Sequence, residues 1–332
     1  MLILRQLTSL GRVSPRARTS LVVAVLAALA AVVVAGAAVL SADERDSGAA
    51  TAIQPQPRKG SPRLELSLGV RDDNEARELR RAAELYNAGH HQQAARIFGR
   101  FDSLEAKLGA AFAAWPASKD RIEQLGALFP RSALVQLHVG LARFWAGTGG
   151  ALNAWREARD VEPDSPYAVR ADDLIHLELA PGLPVFVPSF PYRVKGARPA
   201  EQFEALRADR TAHGRILYGV ALQRLGRPVS ARRAFADALR LAPDDVEALV
   251  ADAVGRYDKS NPSAAFSRLG PLTRRFPHAA TVRFHLGVLL LWQRDVKEAK
   301  RQLRLARANE PGSPTAREAG RYLAELAQVG TG

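Results

Sequence analysis

The chain has 332 residues, 47 Lys and Arg against 34 Asp and Glu, one Met and no Cys. That length suffices for one large domain or two ordinary ones, and 47% hydrophobic residues is normal for a folded chain. Without cysteine there is no disulfide framework, Cys-ligated zinc or iron–sulfur site, thiol nucleophile or lipidated N-terminal cysteine. Arginine carries most of the +13 surplus, which a GC-rich genome produces as readily as an acidic partner does.

From Leu21 to Leu40 the sequence LVVAVLAALAAVVVAGAAVL contains no charge. At about 1.5 Å rise per residue such a helix spans about 30 Å, the hydrocarbon core of a bilayer. Arg5, Arg12, Arg16 and Arg18 precede it without an acid, while Asp43, Glu44, Arg45 and Asp46 follow it. The positive-inside rule then predicts a basic cytoplasmic tail over 1–20, a transmembrane helix over 21–40 and everything later outside the cytoplasm. The competing reading is a secretory signal cleaved near residue 37, because Ala35-Gly36-Ala37 has the small-x-small form of a cleavage site. The apolar run exceeds the usual signal core of about 7–15 residues, which favours the retained anchor.

Residues 41–73 predict a linker with a short extended segment. Gln54-Pro55-Gln56-Pro57 and scattered Ser, Ala and Gly lack any helical period, and Leu64, Leu66, Leu68 and Val70 then alternate. Beyond residue 74 helical periodicity dominates, so repetition is the first question. Pro243, Pro277 and Pro311 are spaced by 34 residues each. In the same register Gly219, Ala253 and Gly287 line up, as do Ala231, Ala265 and Ala299, then Phe235, Leu269 and Leu303, then Ala238, Leu272 and Ala306. Small residues let two antiparallel helices approach, the large apolar residue fills the space between them, and proline ends the second helix.

These units resemble tetratricopeptide repeats. Residues 215–245 carry the small, Ala, large apolar, small and Pro positions of the pattern, and 280–313 match well. Residues 246–279 are degenerate, with Arg256 at a usually apolar position. Residues 314–328 supply an amphipathic end cap. The first half follows the plan with drift, through Ala82, Gly89, Ala94, Phe98 and Phe101, with further units ending at Pro130 and Pro163. The expected fold is all-α: a right-handed superhelical solenoid of helix pairs preceded by one transmembrane helix. N-terminal repeats occupy 74–179, ending in an unpaired helix over 166–179, and C-terminal repeats and the cap occupy 201–332. Between them, 180–200 is an insertion with prolines at 181, 184, 188, 191 and 199, which forbid a helix. Its Phe186, Phe190 and Tyr192 predict an extended segment lying against the solenoid, as a seal or as a displaceable plug.

The resemblance also implies a ligand-facing surface on first-helix positions. In the first C-terminal unit these are His213, Ile216, Val220, Gln223 and Arg224. The next unit gives Glu247, Val250, Val254, Tyr257 and Asp258, and the last gives Thr281, Phe284, Val288, Leu291 and Trp292. The Lys and Asn clamp of chaperone-tail binders is missing, Ile216 and Val220 standing at matching positions. What remains is an apolar stripe with polar edges, suited to a helix or an extended peptide.

Catalytic patterns are missing. None of the seven histidines lies in an H-E-x-x-H arrangement, and there is no phosphate-loop, dinucleotide or G-x-S-x-G signature, so neither enzyme nor cofactor is expected. Residues 74–179 carry 13 Lys and Arg against 14 Asp and Glu, whereas 212–313 carry 18 against 9. The expected function is a non-catalytic scaffold tethered to a bacterial cytoplasmic membrane, its N-terminus inside and its repeats outside, holding a protein or peptide partner. The alternative is an envelope assembly factor binding anionic lipid or wall polymer through the basic half. An outside location and the lack of RNA or DNA motifs set nucleic acid aside.

Overall fold

The computed structural model describes residues 57–190 and 198–329. The tail, the apolar run 21–40 and residues 41–56 lie outside the described residues, as does Tyr192. Among the described residues no helix is long and apolar enough to cross a membrane, and there is no strand. These residues divide into two compact units, one ending at Ile175 and the other beginning at His176.

Among the described residues the first unit has seven helices: α1 (Asn74–Asn87), α2 (His91–Phe98), α3 (Leu104–Ala113), α4 (Lys119–Leu128), α5 (Ala133–Ala146), α6 (Ala151–Val161) and α7 (Pro166–Ile175). The second has eight: α8 (Pro199–Ala208), α9 (Ala212–Arg224), α10 (Pro228–Leu241), α11 (Val246–Val254), α12 (Ser263–Arg275), α13 (Ala280–Trp292), α14 (Val296–Asn309) and α15 (Pro314–Val329).

Proline sets the period. Helices α4, α6, α10, α12 and α14 each end two residues before Pro130, Pro163, Pro243, Pro277 and Pro311, where a ring without an N–H cannot continue the ladder. Each following first helix starts on a cap. Asp245 accepts from the Ala248 amide at 2.9 Å, and the carboxylates of Glu162 and Glu310 reach back to the amides of Ala133 at 2.6 Å and Ala280 at 3.0 Å.

The small column does what the spacing requires. A Cβ on Gly219 would stand 2.3 Å from the Phe235 ring, and one on Gly287 would stand 2.9 Å from Leu303 Cγ. Large apolar residues of the second helices thus press on bare backbone of the first helices, and the pairs close up. The degenerate repeat compensates locally: Arg256 forms a 2.9 Å ion pair with the buried Asp252.

First helices also pack on one another, α9 on α11, α11 on α13 and α13 on α15, which makes them one layer lined by second helices on the other side. The helix expected over 166–179 stops at Ile175. The Leu177 carbonyl accepts instead from Arg294 at 3.2 Å, and Pro181 offers it no amide. The next helix begins at Pro199, two residues before the expected Glu201.

Candidate functional site

In the second unit residues 181–190 run extended along the first-helix layer. Four polar side chains on that layer grip the main chain. The Gln223 carboxamide accepts from the Phe186 amide at 2.9 Å and donates to the Pro184 carbonyl at 3.1 Å. His285 Nε2 accepts from the Val187 amide at 2.9 Å. Glu247 accepts from the amide of Ser189 at 3.1 Å and from its hydroxyl at 2.6 Å. Trp292 donates its indole N–H to the Gly182 carbonyl at 3.2 Å. Phe186 is fully buried, stacked on the His285 ring at 4.5 Å and edge-on to Phe235 at 6.0 Å. Phe190 stacks on His213 at 4.2 Å.

Prolines make this workable. A lone extended chain in an apolar groove has no neighbouring strand to satisfy its amides, and each unpaired buried one is costly. Pro184 and Pro188 remove two donors, and side chains take those of Phe186, Val187 and Ser189.

The residues predicted for the ligand-facing surface are therefore mostly enclosed. Ile216, Val220, Val250, Val254, Phe284, Val288 and Leu291 are buried apolar side chains of the core. Thr281 is buried, and Tyr257 is also buried, its hydroxyl accepting from Gln293 at 2.8 Å. Gln223, Glu247 and Trp292 hold the segment, Arg224 is half-buried, and His213 and Asp258 are exposed.

Two groups here have shifted protonation. Burial pushes the His285 imidazole down from 6.5 to about 4. Its Nδ1 lies 2.7 Å from the Thr281 carbonyl, so the neutral ring donates there and keeps Nε2 free to accept from Val187. Burial also raises the Glu247 carboxyl, against the lowering effect of the Ser189 hydrogen bonds.

The first unit contains a counterpart. Residues 57–62 read as solvated linker, yet Pro62 is buried, as are Leu64 and Leu68 of the alternating run that follows. The Asn87 carboxamide accepts from the Leu64 amide at 3.1 Å and donates to the Leu64 carbonyl at 2.9 Å. His138 Nε2 accepts from the Glu65 amide at 3.0 Å while Nδ1 faces the Leu134 carbonyl at 2.7 Å. Burial lowers this imidazole to about 4 as well. The Tyr167 hydroxyl accepts from the Ser67 amide at 3.0 Å and lies 3.1 Å from the Ser67 carbonyl. Arg170 pairs with Glu65 at 2.9 Å. A signal was available: Ala133-x-Val135-x-x-His138-x-Gly140 recurs as Ala280-x-Val282-x-x-His285-x-Gly287.

Charge separates from the groove. Helices α10, α12 and α14 carry eleven Lys and Arg against two acids, whereas α2, α4 and α6 are nearly balanced. The basic surplus of the C-terminal half thus sits on second helices. No group of His, Asp or Glu among the described residues could hold a metal ion.

No protein-family model and no curated protein matches the chain. Among solved structures, yeast Tom70 aligns at 16% identity and TM-score 0.34, covering 81% of this chain and 52% of that one. YrrB, described as a TPR protein with an unusual peptide-binding site, aligns at 16% and 0.29, covering 61% and 99%. The APC/C hetero-tetramer Cut9–Hcn1 aligns at 13% and 0.25, covering 74% and 55%. The chain is similar to tetratricopeptide-repeat proteins. It spans about half the length of the Tom70 chain.

Proposed function

We propose that the chain is a non-catalytic interaction scaffold whose first-helix layers hold extended peptide. The supporting observation is the grip on residues 181–190: side chains of Gln223, His285, Glu247 and Trp292 bind main-chain atoms, which is how a groove recognises extended chain. Tethering through the apolar run 21–40, with the repeats outside the cytoplasm, belongs to the same reading and rests on the sequence alone. A photo-crosslinker at Asp258, an exposed position just beyond the C-terminal end of α11, tests the binding role in native membranes. A discrete crosslinked partner supports it, and crosslinks only within the chain count against it. A reporter fused after Gly332 should be active only outside the cytoplasm.

The basic second helices favour a second reading, contact with anionic lipid or polymer. Such binding weakens steeply with salt, whereas capture of peptide in an apolar groove does not.

A further inference from the structure

The two held segments share a pattern. Pro62, Leu64, Ser67 and Leu68 correspond to Pro184, Phe186, Ser189 and Phe190, each pair 122 residues apart. The correspondence extends to the bonds. In each unit a carboxamide, Asn87 or Gln223, accepts from the amide of the large apolar residue. A buried histidine accepts from the next amide, and a side-chain oxygen, of Tyr167 or Glu247, accepts from the serine amide. Positions that vary, Arg63 against Val185 and Glu65 against Val187, make no such shared contact through their side chains. Two different stretches of chain thus satisfy one set of groove contacts, in two units that each fold around their own copy.

We propose that each groove is a binding site for an extended Pro-x-(Leu/Phe)-x-x-Ser-(Leu/Phe) segment, and that residues 57–68 are a resident copy which a partner protein presenting this pattern replaces. The proposal rests on the peptide-scaffold reading and supplies its ligand. The first unit is the exchangeable site. Its segment precedes every described helix of the unit, so it leaves without unthreading any of those. Its buried side-chain anchors are two leucines in place of two phenylalanines, and Ser67 is exposed. The remaining hold is by polar bonds, among them those of Tyr86 to the Pro62 carbonyl, Trp115 to the Gly60 carbonyl and Arg170 to Glu65. The second segment is followed by α8 and preceded by residues bonded within its own unit, and its anchors are two phenylalanines.

The test uses the full-length chain and a fluorescent peptide of residues 57–70, read by anisotropy. In a Leu64→Ser, Leu68→Ser variant the resident segment is weakened, and the peptide should bind. Wild type should bind it at least about tenfold more weakly, because the resident copy leaves only a small open fraction. Adding His138→Ala to the released variant should weaken binding again. If the released variant loses helicity, the added peptide must restore it. No binding and no restoration overturns the proposal, as does equal binding of a peptide with the same residues scrambled. A crosslinked partner lacking the pattern also overturns it while leaving the scaffold reading intact. Normal peptide binding with no partner at all would sink the scaffold reading and, with it, exchange by a partner, leaving only the groove's preference for its own segment.

Discussion

Acid should loosen both grooves through His138 and His285. Each imidazole ionises at about 4 in the folded chain against 6.5 when free, burial being the main cause. Between those values the unfolded chain binds more protons, so stability is fully present above about pH 6.5 and is lost as pH falls toward 4. At pH 4.5 the loss is roughly 2–3 kcal/mol per histidine, a large share of the stability of an ordinary domain. The structural cause is specific. Protonated Nε2 would point an N–H at the amide of Glu65 or Val187, which is itself a donor. The groups facing the two rings modify this modestly. Glu65 lies close enough to His138 to favour its charged form. Glu247, across Ser189 from the Val187–His285 contact, has its carboxyl raised by burial and so works in the opposite sense as pH falls. Urea midpoints at pH 7 and 4.5 should differ far more in wild type than in a His138→Gln, His285→Gln double variant. Equal pH sensitivity of the two proteins would refute the reasoning.

Phe186→Ala should cost about 3–5 kcal/mol, since the ring is fully buried between His285 and Phe235; thermal melts showing under 1 kcal/mol would mean the segment is a loose plug. Gly219→Ala places a methyl 2.3 Å from the Phe235 ring and should cost about 1–3 kcal/mol by forcing α9 and α10 apart. Hydrogen exchange should show that damage concentrated in α9 to α11, because each repeat leans mainly on its neighbours.

Residues that act locally were legible in the sequence. Proline at a fixed spacing announced where second helices end, and Gly219 opposite Phe235 announced where two helices touch. Both effects operate within one helix pair, so periodicity exposes them. Of the first-helix positions expected to face a ligand, Gln223, Glu247 and Trp292 bond the chain's own extended segment. The first groove was not legible. The alternation from Leu64 marked an extended segment but not what it binds, because its partners Asn87, His138 and Tyr167 lie 23, 73 and 100 residues from the atoms they bind. No periodicity links such separations. The end of α7 was misplaced because the amphipathic pattern of 166–179 continues past Ile175, while the Leu177 carbonyl finds Arg294 instead.

The repeats and the held segments answer one problem from two sides. A layer of first helices carrying Ile216, Val220, Val250 and Phe284 is too apolar to face water, and the second helices occupy only its other side. A further helix could cover that layer, since a helix satisfies its own backbone. An extended segment covers it with fewer residues but brings unpaired amides, so the groove must supply acceptors or the segment must lack donors. Both devices occur together. Histidine serves as acceptor because a buried neutral ring can donate to its own helix through Nδ1 and still accept through Nε2, as His138 and His285 do. The same choice makes the grip dependent on the ring staying neutral. A groove built in this way holds the chain's own extended segment while the ring is neutral, and its hold should weaken on acidification.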